Sequence, residues 1–252
     1  MDYGLYNTLL YAWIGLAIIT FLALFFVSAP YGRFKRKNWG PEITNWIGWM
    51  IMELPSPVLL AYLVIKGEGP KNAVIWFLMG LWLLHYLNRT LIYPFRITSR
   101  NKKMPFAVAA MAMFFNVGNG FFNGYYLGNY AGYLHHYSFT NILFLLGLVL
   151  FVSGVYINLQ SDQILINLRN NSDQGYKIPV GGMFKYVSSP NYLGELIEWL
   201  GFAIMVVGLP AFSFFIWTFA NLVPRALDNH NWYNQHFKDY PSDRKAIFPF
   251  LL

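Results

Sequence analysis

Between Tyr6 and Ala29 the chain carries about twenty-four residues without a single charged side chain. A helix of that length, rising ~1.5 Å per residue, is longer than the ~30 Å hydrocarbon core of a bilayer. Inside lipid, every backbone amide and carbonyl must find its partner within the protein, so such a stretch is restricted to a helix. It also exceeds the roughly 7–15 apolar residues of a secretory signal, and no small-residue cleavage site follows it, so it is expected to persist as a first membrane span. Six more apolar stretches follow: Ile43–Ile65, Asn72–Phe95, Pro105–Leu127, Thr140–Asp162, Tyr192–Gly208 and Pro210–Ala226. Only 12% of the 252 residues are charged, about half the share in soluble domains. The expected fold is therefore all-α: a polytopic membrane protein with seven transmembrane helices.

The basic residues set an orientation. Alternate loops, with the tail, hold Arg33, Lys35, Arg36, Lys37; Arg96, Arg100, Lys102, Lys103; Arg169, Lys177, Lys185; and Arg225, Lys238, Arg244, Lys245. The intervening loops hold only Lys66 and Lys71. Positive residues remain on the cytosolic side, which places the N-terminus outside and the C-terminus inside. The division between the last two spans rests on Gly208-Leu209-Pro210 alone; merging them would put the basic tail on the wrong side. This placement accounts for the net charge of +7 without nucleic acid. There is no cysteine, which removes disulfides, thiolate metal sites and thiol nucleophiles. The histidines, His135-His136 included, lack a metal-ligand spacing, so no metal is expected. Gly118–Gly124, GNGFFNG, has the wrong spacing and context for a dinucleotide-binding turn.

Within the spans, polar residues recur where lipid would not tolerate them. Glu53 precedes Pro55 and Pro57, two residues without an amide donor, which should leave nearby carbonyls unpaired within the helix. A solvated glutamate at a kink would explain the same pattern. On a helix with ~100° per residue, Tyr86, Arg89 and Tyr93 share a stripe, which would set a phenol beside a guanidinium; an interfacial Tyr/Arg belt is the plainer reading. Asn158, Asp162 and Arg169 also align along one helix, as do Asn191, Glu195 and Glu198 on the next, where Glu198 lies too far in for a dipole role. The tail RALDNHNWYNQHFKDYPSDRKAIFPF mixes aromatic, basic and amide residues, as an interfacial segment or a ligand cover would. These residues describe a bundle that could admit an anionic cofactor from the basic side and an apolar substrate from lipid. By themselves they leave a reductase, a methyltransferase and a lipid carrier all open.

Longer motifs add a resemblance. HYLNRTLIYP, INLQSDQILINLR, GYKIPVGGMFKYVSSPNYLGELIEWLG and NWYNQHFKDYPSDRKAIFPFLL, together with ELPSP, YGR and NGFFNGYYL, resemble the signatures of the steroid 5α-reductase family, the 3-oxo-5α-steroid 4-dehydrogenases. The likeness runs over nearly the whole chain and is densest after Asn158. It implies one membrane domain over 1–252, with substrate-side helices about 1–130 and a cofactor-binding region about 140–252. It implies NADPH as cofactor and reduction of the Δ4 double bond of a 3-oxo steroid that enters from lipid, with hydride to C5. Glu53 and Tyr86 match the catalytic pair that holds and polarises the 3-oxo oxygen, Tyr86 as acid and Glu53 as a protonated carboxyl. Tyr31, Tyr93, Asn158, Asp162, Arg169, Asn191, Glu195, Arg225, Asn229 and Tyr233 match cofactor-binding positions, with Lys35, Arg96 and Arg100 as further phosphate candidates. Met52 stands where the family often has Gln, and Asn229, with His230 beside it, where a histidine is expected. A related reductase of an enoyl thioester, polyprenal or sterol, and an isoprenylcysteine-type methyltransferase, are the alternatives. The expected state is a monomeric, multi-pass integral membrane protein: in the inner membrane if a bacterial homologue, as the short termini suggest, or in the endoplasmic reticulum if eukaryotic.

Overall fold

A computed structural model describes residues 1–28, 32–34, 39–170 and 175–252. Its elements in chain order are α1 (Tyr3–Phe26), β1 (Glu42–Thr44), α2 (Asn45–Glu53), α3 (Pro55–Lys66), α4 (Ala73–Leu87), a π-turn (Asn88–Ile92), α5 (Tyr93–Arg96), β2 (Lys103–Pro105), α6 (Phe106–Asn129), α7 (Ile142–Asn170), α8 (Pro190–Val206) and α9 (Leu209–His236). It is the structure of an all-α membrane protein to which one short ribbon is added. In that ribbon β1 and β2 pair antiparallel, with Ile43 opposite Met104, and so fix the starts of α2 and α6 side by side.

Among the described residues, four helical stretches are long and apolar enough to cross a membrane: Tyr3–Phe26, Asn45–Lys66, Phe106–Asn129 and Ile142–Arg169. The other stretches expected as spans are helical too, but shorter, interrupted or more polar. The fifteen residues of α4 pass through the π-turn into α5, α8 has seventeen residues, and the second half of α9 carries Arg225, Asp228, Asn229 and His230. α8 and α9 are separate helices. Val207 between them has φ +49°, in the left-handed region that closes a helix but strains a β-branched residue.

The chain packs as two compact units. The first comprises Met1–Trp13, Ala29–Leu145 and Val206–Phe212; the second comprises Ile14–Ser28, Leu146–Met205 and Ser213–Leu252. Without a hydrophobic drive between helices in lipid, close backbone approach is what holds them, and small residues permit it. In the first unit α6 supplies Gly120, Gly124 and Gly128 at four-residue spacing, all facing α3. A Cβ at Gly120 would lie 2.8 Å from the Ser56 carbonyl oxygen, and one at Gly124 2.7 Å from the Leu60 Cα. In the second unit the same device joins α7 to α8. A Cβ at Gly194 would lie 2.5 Å from the Asn158 backbone nitrogen, and one at Gly201 2.5 Å from that of Phe151. Elsewhere in this unit Val187, Leu193, Leu196, Val223, Ala226 and Ile247, from α8, α9 and the segments beside them, form a buried apolar cluster.

Pro55 is the first residue of α3 and, lacking an amide, interrupts the hydrogen-bond ladder there, while Leu54 between α2 and α3 keeps helical dihedrals (φ −58°, ψ −36°) and donates to the Met50 carbonyl oxygen. The two prolines therefore make a joint inside one membrane-crossing stretch, and Glu53 is the last residue before it.

Candidate active site

Three elements of the first unit bring polar side chains together: the end of α2, the α4 to α5 stretch and the middle of α6. Asn116 stands at their centre, 2% exposed. Its Nδ2 donates to the Met52 carbonyl oxygen at 2.6 Å and to Glu53 Oε2 at 3.2 Å. Its Oδ1 accepts the Tyr86 hydroxyl at 2.8 Å. Tyr86, also 2% exposed, lies against Trp82, with ring centroids 5.5 Å apart at 26°. Trp82 is fixed in turn by its indole N–H, which donates to Ser56 Oγ at 3.1 Å. The phenol is thus held by an indole face and an amide, deep in the helix layer.

Arg89 Nε lies 4.0 Å from Glu53 Oε1, the two side chains being 15% and 13% exposed. The guanidinium lies over the rings of Trp49 at 4.6 Å and Tyr93 at 4.9 Å, and those rings meet edge to face at 4.9 Å. An arginine stacked on two rings keeps its charge with little water, which a lysine could not match. The sequence sets Tyr86, Arg89 and Tyr93 on one stripe, and the structure does bring Arg89 onto Tyr93. The structure directs the Tyr86 hydroxyl to Asn116 and packs Arg89 on Trp49 and Tyr93. Arg89 sits in the π-turn over Asn88–Ile92, whose wider turns follow the α-helical period that ends at Leu87. Glu53 Oε2 accepts from Asn116, and its Oε1 faces the Arg89 guanidinium.

The second unit gathers most of the residues matched to the cofactor. α7 runs unbroken from Ile142 to Asn170, so Asn158, Asp162 and Arg169 do share a stripe. Asn158 is 5% and Asp162 6% exposed; Arg169 is exposed near the helix end. α8 meets that stripe with Asn191. Asn158 Nδ2 donates to the Asn191 carbonyl oxygen at 2.9 Å, and Asn191 Nδ2 to Asp162 Oδ1 at 3.3 Å. Glu195 lies half-buried one turn further along α8, and Glu198 is fully buried beyond it. α9 contributes Arg225, half-buried, and Tyr233, buried, whose ring stacks on Tyr240 at 5.2 Å and 4°. Asn229 Nδ2 reaches Ser189 Oγ at 3.4 Å. Tyr93 belongs to the first unit, in the Arg89 cage. Tyr31 and Lys35 lie outside the described residues. Arg96, the last residue of α5, and Arg100, in the turn before β2, are exposed.

A tail strap completes the second cluster. Val187 and Lys245 form a parallel bridge, and the Ser188 and Ser189 amides donate to the Lys245 and Ala246 carbonyls at 2.8 and 3.1 Å. Ser188 Oγ also donates to the Lys245 carbonyl at 3.0 Å. It also lies 2.7 Å from His230 Nδ1 and 2.6 Å from Tyr240 Oη, so that one hydroxyl ties the strap to both rings. Burial, with Lys245 and Arg244 nearby, holds the His230 pKa below its ordinary value and favours the neutral ring. Burial pushes the Tyr240 phenol up, keeping it a donor. Arg244, 3% exposed, donates to the Pro179 carbonyl oxygen at 3.2 Å and lies 5.0 Å over the Tyr240 ring.

Sequence reasoning missed Asn116, Trp49, Ser188 and Tyr240. For Asn116 a signal existed. Asn116, Asn119 and Asn123 recur at helical spacing in an apolar span, and all three are buried. Among the described residues no group of three or more His, Cys, Asp or Glu could hold a metal ion.

Comparison with known proteins points one way. The sequence model of a family described as 3-oxo-5-alpha-steroid 4-dehydrogenase matches residues 102–252. The steroid 5-alpha-reductase DET2 of Solanum lycopersicum is 42% identical over 254 residues, covering 99% of this chain and 98% of that protein. The protein of the same name from Gossypium hirsutum is 40% identical over 240 residues, covering 94% and 93%. The 3-oxo-5-alpha-steroid 4-dehydrogenase 1 of Bos taurus is 36% identical over 253 residues, covering 98% and 97%.

Proposed function

The chain belongs to the 3-oxo-5-alpha-steroid 4-dehydrogenase family, and from that premise we propose that it is an NADPH-dependent membrane reductase of 3-oxo-Δ4 steroids. It is an oxidoreductase acting on a carbon–carbon double bond, and the product is the 5α-dihydro-3-oxo steroid. The observation that carries the assignment to residues is the buried Tyr86–Asn116–Glu53 network. It offers a phenolic proton and a held carboxylate inside an otherwise apolar helix layer, which suits a ketone on an apolar ring system.

Reduction of a 3-oxo-4-ene develops negative charge on O3 as hydride reaches C5. Tyr86 donates to O3 at that point, and a placed donor in a dry site stabilises the enolate far more than water would. Glu53, hydrogen-bonded by Asn116 and paired with Arg89, fixes the far side of the network. It orients the oxygen site, directly as a carboxyl when protonated and otherwise through Asn116 and Arg89. Trp82 and the apolar α3 and α6 faces exclude water. A proton taken up at C4 completes the saturated ketone.

The donor set of the second unit fits a dinucleotide. Amides and carboxylates at Asn158, Asp162, Asn191 and Glu195 suit a carboxamide and ribose hydroxyls. Arg169 and Arg225 suit phosphates, and Tyr233 offers an aromatic face. NADPH, when bound, supplies the hydride. The residues of this chain would bind and orient it, with the cytosolic arginines favouring the extra 2′-phosphate. Asn229 takes the histidine's place in this set, with Ser189 as its anchor.

The test is NADPH consumption by purified protein given progesterone or testosterone, with product mass. The expected result is a steroid heavier by two hydrogens and no such turnover with an enoyl thioester or a polyprenal. NADPH oxidation only with one of the latter would replace the steroid assignment.

We further infer seven passes, with the N-terminus outside and the C-terminus cytosolic, and a monomer in the membrane. The absence of cysteine makes this simple to check, because Glu68 and Lys102 are both exposed in the loops concerned. A membrane-impermeant maleimide is expected to label Glu68→Cys in intact cells and Lys102→Cys only after permeabilisation. The reverse pattern would invert the topology.

A further inference from the structure

Asn116 lies in α6, outside both the helix that carries Glu53 and the helix that carries Tyr86, yet it is bonded to both. A side-chain amide has two N–H donors on one side and a carbonyl oxygen on the other. Both Asn116 N–H groups face acceptors, the Met52 carbonyl oxygen at 2.6 Å and Glu53 Oε2 at 3.2 Å. Turned the other way, the amide would set Oδ1 against two oxygens. One orientation is therefore imposed by the joint after α2, and it leaves Oδ1 facing Tyr86. A phenol has one proton, and here it is directed at Oδ1 at 2.8 Å. The state of Glu53 and the direction of the Tyr86 proton are thus linked through one amide that is 2% exposed.

We propose that Asn116 is a positioning residue for the carbonyl site, setting the direction of the Tyr86 hydroxyl according to the hold of Glu53 and Met52 on its amide. The proposal rests on the reading of Tyr86 as the donor to the 3-oxo oxygen. With the proton parked on Asn116, the hydroxyl keeps its place and rotamer until a ketone oxygen arrives to compete for it. The amide remains pinned at its other end meanwhile, so the phenol does not drift. Asn116 does not touch the reacting carbon atoms in this account. It acts through Tyr86, and its effect should vanish when the hydroxyl is gone.

A double-mutant cycle tests that dependence. Asn116→Leu is expected to lower kcat by about 30-fold, within the ~10²-fold that a small misplacement costs. The KM for NADPH should stay within about twofold, because misplacing the phenol leaves cofactor binding untouched. In the Tyr86→Phe background, the same substitution should change kcat less than about threefold, since residues acting as a unit are not additive. Binding of testosterone without cofactor, by equilibrium dialysis, should weaken in Asn116→Leu and not weaken further in the double variant. Full, additive losses in both backgrounds, or parent-like turnover in Asn116→Leu, would overturn the proposal. Parent-like turnover in Tyr86→Phe would remove the donor assignment itself, and this inference with it.

Should Asn116→Leu fail to fold, Asn116→Asp keeps the shape and the acceptor towards Tyr86 but sets an oxygen against Met52 and Glu53. Its turnover should be low at neutral pH and recover as pH falls and the introduced carboxyl takes up a proton, a limb absent from the parent profile. A profile parallel to the parent's would count against the inference.

Discussion

Replacing Tyr86 by Phe is expected to lower kcat for a 3-oxo-Δ4 steroid by at least roughly 100-fold, the lower end of what a placed proton donor contributes. Glu53→Ala is expected to lose at least roughly as much, by the same loss of acid–base assistance. The two variants differ in what else they disturb. Phe keeps the ring that stacks on Trp82, so the core stays filled. The Asn116 carbonyl oxygen loses a donor, which costs about 1–3 kcal/mol in a buried place, so a modest fall in melting temperature should accompany the loss of turnover. Removing the Glu53 carboxylate takes the acidic partner from Arg89 and one acceptor from Asn116. Glu53→Ala should therefore be the less stable of the two. Steady-state kinetics beside a thermal melt in detergent separates the cases. Parent-like turnover in either folded variant would strip that residue of its role.

The second large effect is on the fold. Gly124→Leu is expected to prevent recovery of monodisperse protein. A Cβ at this position would lie 2.7 Å from Leu60 Cα, 3.0 Å from the Leu60 carbonyl oxygen and 3.2 Å from Leu63 Cβ. Two of those three atoms are backbone, so no rotamer change relieves the contact and α3 must move off α6. Overpacking a filled core costs about 1–3 kcal/mol and more where backbone has to shift, against a total stability of only about 5–15 kcal/mol. The joint at Leu54 would move with α3, and the Met52 and Glu53 contacts of Asn116 depend on that joint. Gly124→Ala, which adds the Cβ alone, should be the milder of the pair, folding but with reduced turnover. Size-exclusion profiles and residual NADPH oxidation measure both. A monodisperse, fully active Gly124→Leu would show that this seam is looser than its backbone distances imply.

The resemblance was legible because long motifs carry backbone and side-chain requirements in order. ELPSP, HYLNRTLIYP and INLQSDQILINLR carry Glu53, Tyr86 and the α7 stripe. The curated relatives of 36–42% identity agree on the family. The α7 stripe was also derivable from spacing, because α7 is an uninterrupted helix and Asn158 to Arg169 keep their ~100° steps. The α4 stripe was legible in part, since Arg89 does lie over the Tyr93 ring. The π-turn at Asn88–Ile92 carries no proline or glycine to announce it, and Trp49 of α2, on the guanidinium as well, was not foreseen. The α6 asparagines were visible but mute, since a buried amide in a span is as often a helix-packing bond as part of a site.

Sequence by itself determined what lipid and short-range chemistry impose: helices because backbone polar groups must pair internally, a break at Pro55, and the family. What only the tertiary structure decided is which polar groups meet. Asn116 joining Glu53 to Tyr86 spans 63 residues on one side and 30 on the other, and Ser188 meets His230 and Tyr240 across 42 and 52. Contacts of that kind depend on how helices from distant parts of the chain are rotated and seated against one another. That seating is set by the summed packing of many side chains, which no local pattern of residues records.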